Sequence, residues 1–146
     1  MFKKFAVTMA TAAMVATSAM TAMAATNYFY VVENETFGPA RMGQDCVSFV
    51  SKKGNTVTMN LQTGSYGSYS GAITDAWIDT DGDKVHDTNE QSLYDSTENA
   101  IVYNQKKLAS TEYSGYANFC ITVTISDSSS GSVVMQKAQN TFVPIQ

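Results

Sequence analysis

Apolar and polar residues alternate with a period of two along most of the chain beyond its first two dozen residues. In residues 27–33 (NYFYVVE), Tyr28, Tyr30 and Val32 fall on one face. Residues 46–50 read CVSFV. In residues 56–62 (TVTMNLQ), Val57, Met59 and Leu61 alternate with Thr and Asn. Residues 73–78 (ITDAWI) and 100–103 (AIVY) continue the series. Phe119, Ile121, Val123 and Ile125 then alternate with Cys120, Thr122 and Thr124, and residues 133–136 and 141–145 complete it. Alternation rich in β-branched and aromatic residues marks strands buried on one side.

Lys53-Gly54-Asn55 and residues 126–131 (SDSSSG) have turn chemistry between such runs. Short strands with turns about every ten residues point to an antiparallel sandwich, or a barrel-like variant of it. No long amphipathic stretch separates the strands, which argues against a parallel βαβ sheet. One short helix fits residues 89–96. The expected class is therefore an all-β antiparallel β-sandwich with at most that helix.

The first residues break the pattern. Lys3 and Lys4 precede an uncharged stretch of Ala, Met, Val and Thr running from Phe5 to about Met20, and Ala22-Met23-Ala24 ends it with a small-x-small pattern. This is the layout of a secretory signal peptide, with cleavage expected after Ala24 or Ala25. The alternative, a membrane anchor, wants about 20 strongly apolar residues, and Ala and Thr are only weakly so. The expected domains are a signal peptide at 1–24 and one β-sandwich at 25–146. The mature chain has no further span and is secreted, or periplasmic, according to the host envelope.

Cleavage changes the charge. The 146-residue chain has a net charge of −4. Losing Lys3 and Lys4 leaves seven basic residues against 13 acidic ones, a net charge of −6. An acidic chain lacks the basic face that nucleic-acid binding needs. One histidine excludes multi-histidine metal sites, and two cysteines exclude four-cysteine zinc sites. In an oxidising compartment Cys46 and Cys120 would most simply pair. That would close a loop of about 75 residues, worth roughly 4.5 kcal/mol in the chain-entropy model.

Residues 63–71 (TGSYGSYSG) read as an exposed loop, whose Tyr66 and Tyr69 have the composition of adaptable binding loops. Trp77 reads either as core or as a platform for stacking a ligand. His86 is expected to face solvent.

Residues 79–90 (DTDGDKVHDTNE) carry the one motif with chemistry. Asp79, Asp81, Asp83, Asp87 and Glu90 fall at positions 1, 3, 5, 9 and 12 of a twelve-residue loop. That spacing lets a tight loop turn its carboxylates around one hard cation, with the Val85 carbonyl at position 7 and Glu90 closing the shell. A two-residue hairpin at Asp81-Gly82 is the competing reading. The twelve residues resemble EF-hand-like calcium loops, particularly the bacterial and thrombospondin type 3 form. The resemblance covers this segment alone. It implies calcium as a structural cofactor, with Asp79, Asp81, Asp83, Val85, Asp87 and Glu90 as ligands. The usual glycine at position 6 is Lys84, which would need a left-handed backbone costing about 1–2 kcal/mol.

These features favour a secreted, non-catalytic, calcium-stabilised binding module for a glycan, protein or surface ligand, with Tyr66, Tyr69 and Trp77 as ligand-binding candidates. A secreted effector is the alternative: a toxin, a bacteriocin, or a protease inhibitor presenting Arg41 from residues 38–42. A small hydrolase ranks lower. Serine and cysteine hydrolases normally need a histidine base, and the only histidine lies in the acid loop. A two-carboxylate glycosidase would have to use acids such as Asp75 and Glu98.

Overall fold

A computed structural model describes residues 27–146; the expected signal peptide, residues 1–24, lies outside the described residues. The described chain forms ten strands: β1 (Tyr30–Glu33), β2 (Thr36–Pro39), β3 (Val47–Lys53), β4 (Thr56–Leu61), β5 (Gly64–Tyr66), β6 (Tyr69–Trp77), β7 (Tyr94–Asp95), β8 (Ala100–Asn104), β9 (Tyr116–Asp127) and β10 (Val133–Pro144). They build two antiparallel sheets. The larger has the order β2-β1-β10-β9-β6-β5 and the smaller β3-β4-β8-β7. The architecture is the all-β sandwich that the alternation predicts, with two open sheets rather than a closed barrel.

The core lies between the sheets. Phe119, Ile121, Val123 and Ile125 of β9 face it together with Ile73, Val50, Val57, Met59, Ile101 and Tyr103. The other parity of β9 makes the outer face of the large sheet. There Trp77 pairs with Cys120, and Cys120 with Asn140. A register shift between Ile73 and Asp75 lets β6 bury Ile73 and Ala76 inward while Asp75 and Trp77 face out.

Three expectations are corrected. Residues 89–96 are not helical: they contain an isolated bridge from Ser92 to Trp77 and the short strand β7. Tertiary pairing with β8 overrides the weak local helical signal. The only helical turn among the described residues is a 3-10 turn, Gln44–Cys46. Residues 63–71 form the β5–β6 hairpin rather than a plain loop. A Cβ at Gly71 would sit 2.5 Å from the Tyr66 ring, so glycine there makes room for that ring.

The third correction concerns the cysteines, which are both free. Cys46 lies in the core between the sheets, with Sγ 3.8 Å from the Tyr66 hydroxyl. Cys120 is on the opposite face of the large sheet, with Sγ 3.6 Å from Asp79 Oδ2. The sheet itself stands between the two sulfurs, and a disulfide needs Cβ atoms about 4 Å apart.

Candidate metal centre

The acid loop leaves the large sheet at the end of β6. Just outside it, the Ile78 N–H donates to the Gln91 carbonyl (2.9 Å), and the Leu93 N–H donates to the Ala76 carbonyl (2.8 Å). The chain therefore pairs with itself immediately before residue 79 and immediately after residue 90. All twelve intervening residues form one loop, so the two-residue hairpin at Asp81-Gly82 is not what is built.

Inside the loop, carboxylates organise the backbone. Asp79 Oδ1 accepts the Gly82 N–H (3.1 Å), and its Oδ2 accepts the Lys84 N–H (3.0 Å). Asp81 accepts from the Asp83 N–H (3.3 Å), and Asp83 from the Val85 N–H (2.9 Å). Lys84 is left-handed at φ 61, as its place at position 6 requires. Glu90 is the buried end of the loop, 6% exposed. Its Oε2 accepts the Thr80 N–H (2.7 Å) and hydroxyl (3.2 Å), and its Oε1 accepts the Asp87 N–H (2.8 Å). Glu90 thus ties the start of the loop to its end.

The acids converge. One oxygen each from Asp79, Asp81 and Asp83 lie within 4.8 Å of one another, and so do one each from Asp81, Asp87 and Glu90. Asp81 belongs to both groups, which makes it the junction of five carboxylates. The electrostatics record their crowding. The Asp83 N–H draws the Asp81 carboxyl down. The Asp83 carboxyl, partial desolvation and Asp79 outweigh it, leaving Asp81 at about 6. Desolvation would raise Asp79, but N–H groups from Lys84 and Gly82 and the Asp81 carboxyl hold it below its ordinary value. One carboxyl is raised and its neighbour lowered, the direction expected where carboxylates crowd together.

His86 corrects another expectation, for it does not point away from the protein. Its ring lies flat on Trp77, with centroids 5.1 Å apart and planes at 3°. Its Nδ1 is 2.8 Å from Asp75 Oδ2. Partial burial would lower the His86 pKa, but the Asp75 carboxylate and Glu90 raise it. Asp75 and Trp77 share the outer face of β6, so this contact pins the acid loop down onto the sheet. Sequence spacing could suggest no partner for His86, because Asp75 is brought to it only by the β6 register shift.

The remaining candidates divide by exposure. Trp77 is 1% exposed and forms part of the packing under His86; it offers no face to a ligand. Its Nε1 is buried without a hydrogen-bond partner among the described residues. Tyr66 turns its hydroxyl inward to the Gly43 N–H and Cys46. Tyr69, at the other end of β6, is exposed. Arg41 is exposed, 3.9 Å from Glu33, whereas the flanking Ala40 is buried and Met42 packs on the core. Asp75 holds His86 on the large sheet, while Glu98 donates its N–H to Asp95 in the turn before β8 of the smaller one. The structure does not bring these two acids together as a pair.

Neither thiol is poised as a nucleophile. Burial, with Asp79 beside it, pushes Cys120 up to about 12, and burial also raises Cys46. No helix among the described residues is long and apolar enough to cross a membrane. Compared with known protein families, with curated proteins and with solved structures, the chain matches none.

Proposed function

We propose that the chain is a secreted, non-catalytic β-sandwich binding module whose acid loop, residues 79–90, holds one structural calcium ion. The observation that carries this reading is the bracketing of the loop. Strand pairing at Ile78 and Gln91 isolates twelve residues, and their carboxylates gather in two groups joined at Asp81. Asp79, Asp81, Asp83, Asp87 and Glu90 would supply side-chain oxygens, and Val85 its carbonyl. Oxygen donors in this number suit a hard cation of calcium's size and coordination.

The role is structural because the loop is fastened at both ends. Glu90 joins its termini, and His86 fastens its middle to Asp75 and Trp77. A sensor would need a pair of helices to open, and strands flank this loop instead. The left-handed Lys84 adds strain and a positive charge, which supports a weak affinity, in the range of extracellular modules. The protonated thiols and the engaged His86 support a non-catalytic role. The bound partner would be an extracellular glycan, protein or surface, met by exposed residues such as Tyr69.

A calcium titration followed by melting temperature tests the proposal. The melting temperature rises with millimolar calcium, magnesium does less, and Asp81→Ala removes the response. No rise at millimolar calcium in the unaltered protein would overturn it.

A further inference from the structure

The other end of the large sheet carries an observation independent of the acid loop. β10 is twelve residues long, but β1 meets it only near its C-terminal end, where Tyr30 lies opposite Phe142. β9 covers one side of β10 throughout; no strand among the described residues pairs with the other side of residues 133–137. That stretch is an open edge with a row of unpaired backbone donors and acceptors, which another β-strand can complete.

Its side chains do not guard it. Val133, Val134 and Met135 are 59%, 54% and 45% exposed, three consecutive large apolar residues on the surface. Met135 is opposite Ile125, on the side of the sheet that elsewhere buries core, yet it is exposed itself. The one charge in the stretch, Lys137, lies at its end beside β1, in a half-exposed ion pair with Glu33 (3.5 Å). Gln136 is uncharged and holds Thr124 (3.0 Å).

Charge placement selects the occupant. Two copies of an acidic chain repel unless they meet away from their acids. Eight of the 13 acids lie between Asp75 and Glu98. The acid loop follows Trp77, which is in register with Cys120 and Asn140; Val133 is in register with Ser126 and Ser70. Seven residues of strand separate those rows, about 23 Å at 3.3 Å per residue. An antiparallel pairing of two edges across a two-fold axis points the acid loops in opposite directions and keeps them apart. It also joins neutral, apolar residues to their own copies, as an isologous interface requires.

We infer that residues 133–137 are a self-association edge, at which a second copy of the chain adds β10 to β10 antiparallel about an axis near Met135. The large sheets then run continuously across the dimer.

Sedimentation velocity over a wide concentration range tests this on the full chain, and Met135→Cys gives a geometric readout. The expected result is a reversible dimer. Met135→Lys places like charges opposite each other on the axis and weakens that dimer by about tenfold, without lowering the melting temperature at dilutions where the chain is monomeric. Met135→Cys cross-links two copies under mild oxidation, whereas the unaltered chain, with both thiols buried, does not. Three results would overturn the inference: a monomer at every concentration, a dimer that Met135→Lys leaves intact, or an edge that takes up an unrelated strand-forming peptide while the chain itself stays monomeric.

Discussion

The same three strands, β6, β9 and β10, end in opposite ways at the two ends of the large sheet. At the Trp77 end, a twelve-residue loop folds back over the outer face, and side-chain carboxylates accept most of the N–H groups that turn it. At the Val133 end, the β9–β10 turn is short: Asp127 accepts from Ser129 and Ser130, and beyond it β10 pairs with β9 on one side only, with apolar side chains in water. The difference teaches where this fold stores order. A strand end is fixed either by polar side chains that fold over it, as at the acid loop, or by neighbouring strands, and residues 133–137 have such a neighbour, β9, on one side only.

Substitutions at the two ends should therefore separate. The largest effect belongs under the acid loop. Trp77→Ala opens a cavity in fully buried packing and removes the surface on which His86 lies, costing about 3–5 kcal/mol in chemical denaturation. Trp77→Phe keeps an aromatic ring and deletes the buried N–H that has no partner, so it should cost clearly less. Equal losses would mean that the ring stacking is not what matters.

Glu90→Ala comes next. It strands the Thr80 and Asp87 N–H groups and costs about 1–3 kcal/mol, measured as a lower midpoint in urea. It should also remove any rise in melting temperature with calcium. A calcium response that survives Glu90→Ala would place the ion elsewhere.

The two thiols give a prediction in pH. The Cys120 thiol is raised from 9.0 to about 12 in the folded chain. Below pH 9 both states hold the proton, and this group's contribution to stability is fully present. Between 9 and about 12 the unfolded chain ionises first, so stability falls as pH rises. At pH 8 an alkylating reagent should label both cysteines quickly in denaturant and slowly in the native protein. Rapid native labelling of Cys120 would show that the acid loop opens readily.

The smallest effects sharpen the contrast. Lys84→Gly relieves a left-handed residue, gaining about 1 kcal/mol in stability and tightening the calcium response. Met135→Lys, on a side chain already about half in water, should leave the melting temperature of the dilute, monomeric chain within error while changing association. A large loss of stability from Met135→Lys would mean that this end is packed after all.

Much of the sandwich was legible in the alternation, because a strand that buries one face must alternate. The pattern located most of the strands, the Gly54-Asn55 turn between β3 and β4, and the core side of β9. It broke β10 into two pieces, since residues 137–140 (KAQN) are mostly polar and offer no apolar alternation of their own; pairing with β9 holds them in the strand, with Gln139 buried. It missed β5, because Gly64 and Gly71 look like loop residues until the Tyr66 ring is seen to fill the space that a side chain at Gly71 would need. It also passed over the turn between β1 and β2, where Asn34 and Glu35 both take positive φ, 50 and 62.

The acid loop divides in the same manner. Its spacing, its carboxylates and the left-handed demand on Lys84 are properties of twelve consecutive residues, and a loop that short constrains itself. Its attachment is not local: His86 meets Asp75 and Trp77 only because β6 shifts register, and Cys120 meets Asp79 only because β9 lies beside β6. The cysteines make the same point from the other side. Their number permits a pair, but side-chain parity on the large sheet and the position of the 3-10 turn put them on opposite faces. The sequence by itself determined which residues alternate and which carboxylates can share a loop, because both follow from backbone periodicity. Only the tertiary structure decided which faces meet, because register and sheet order join residues that are far apart in the chain.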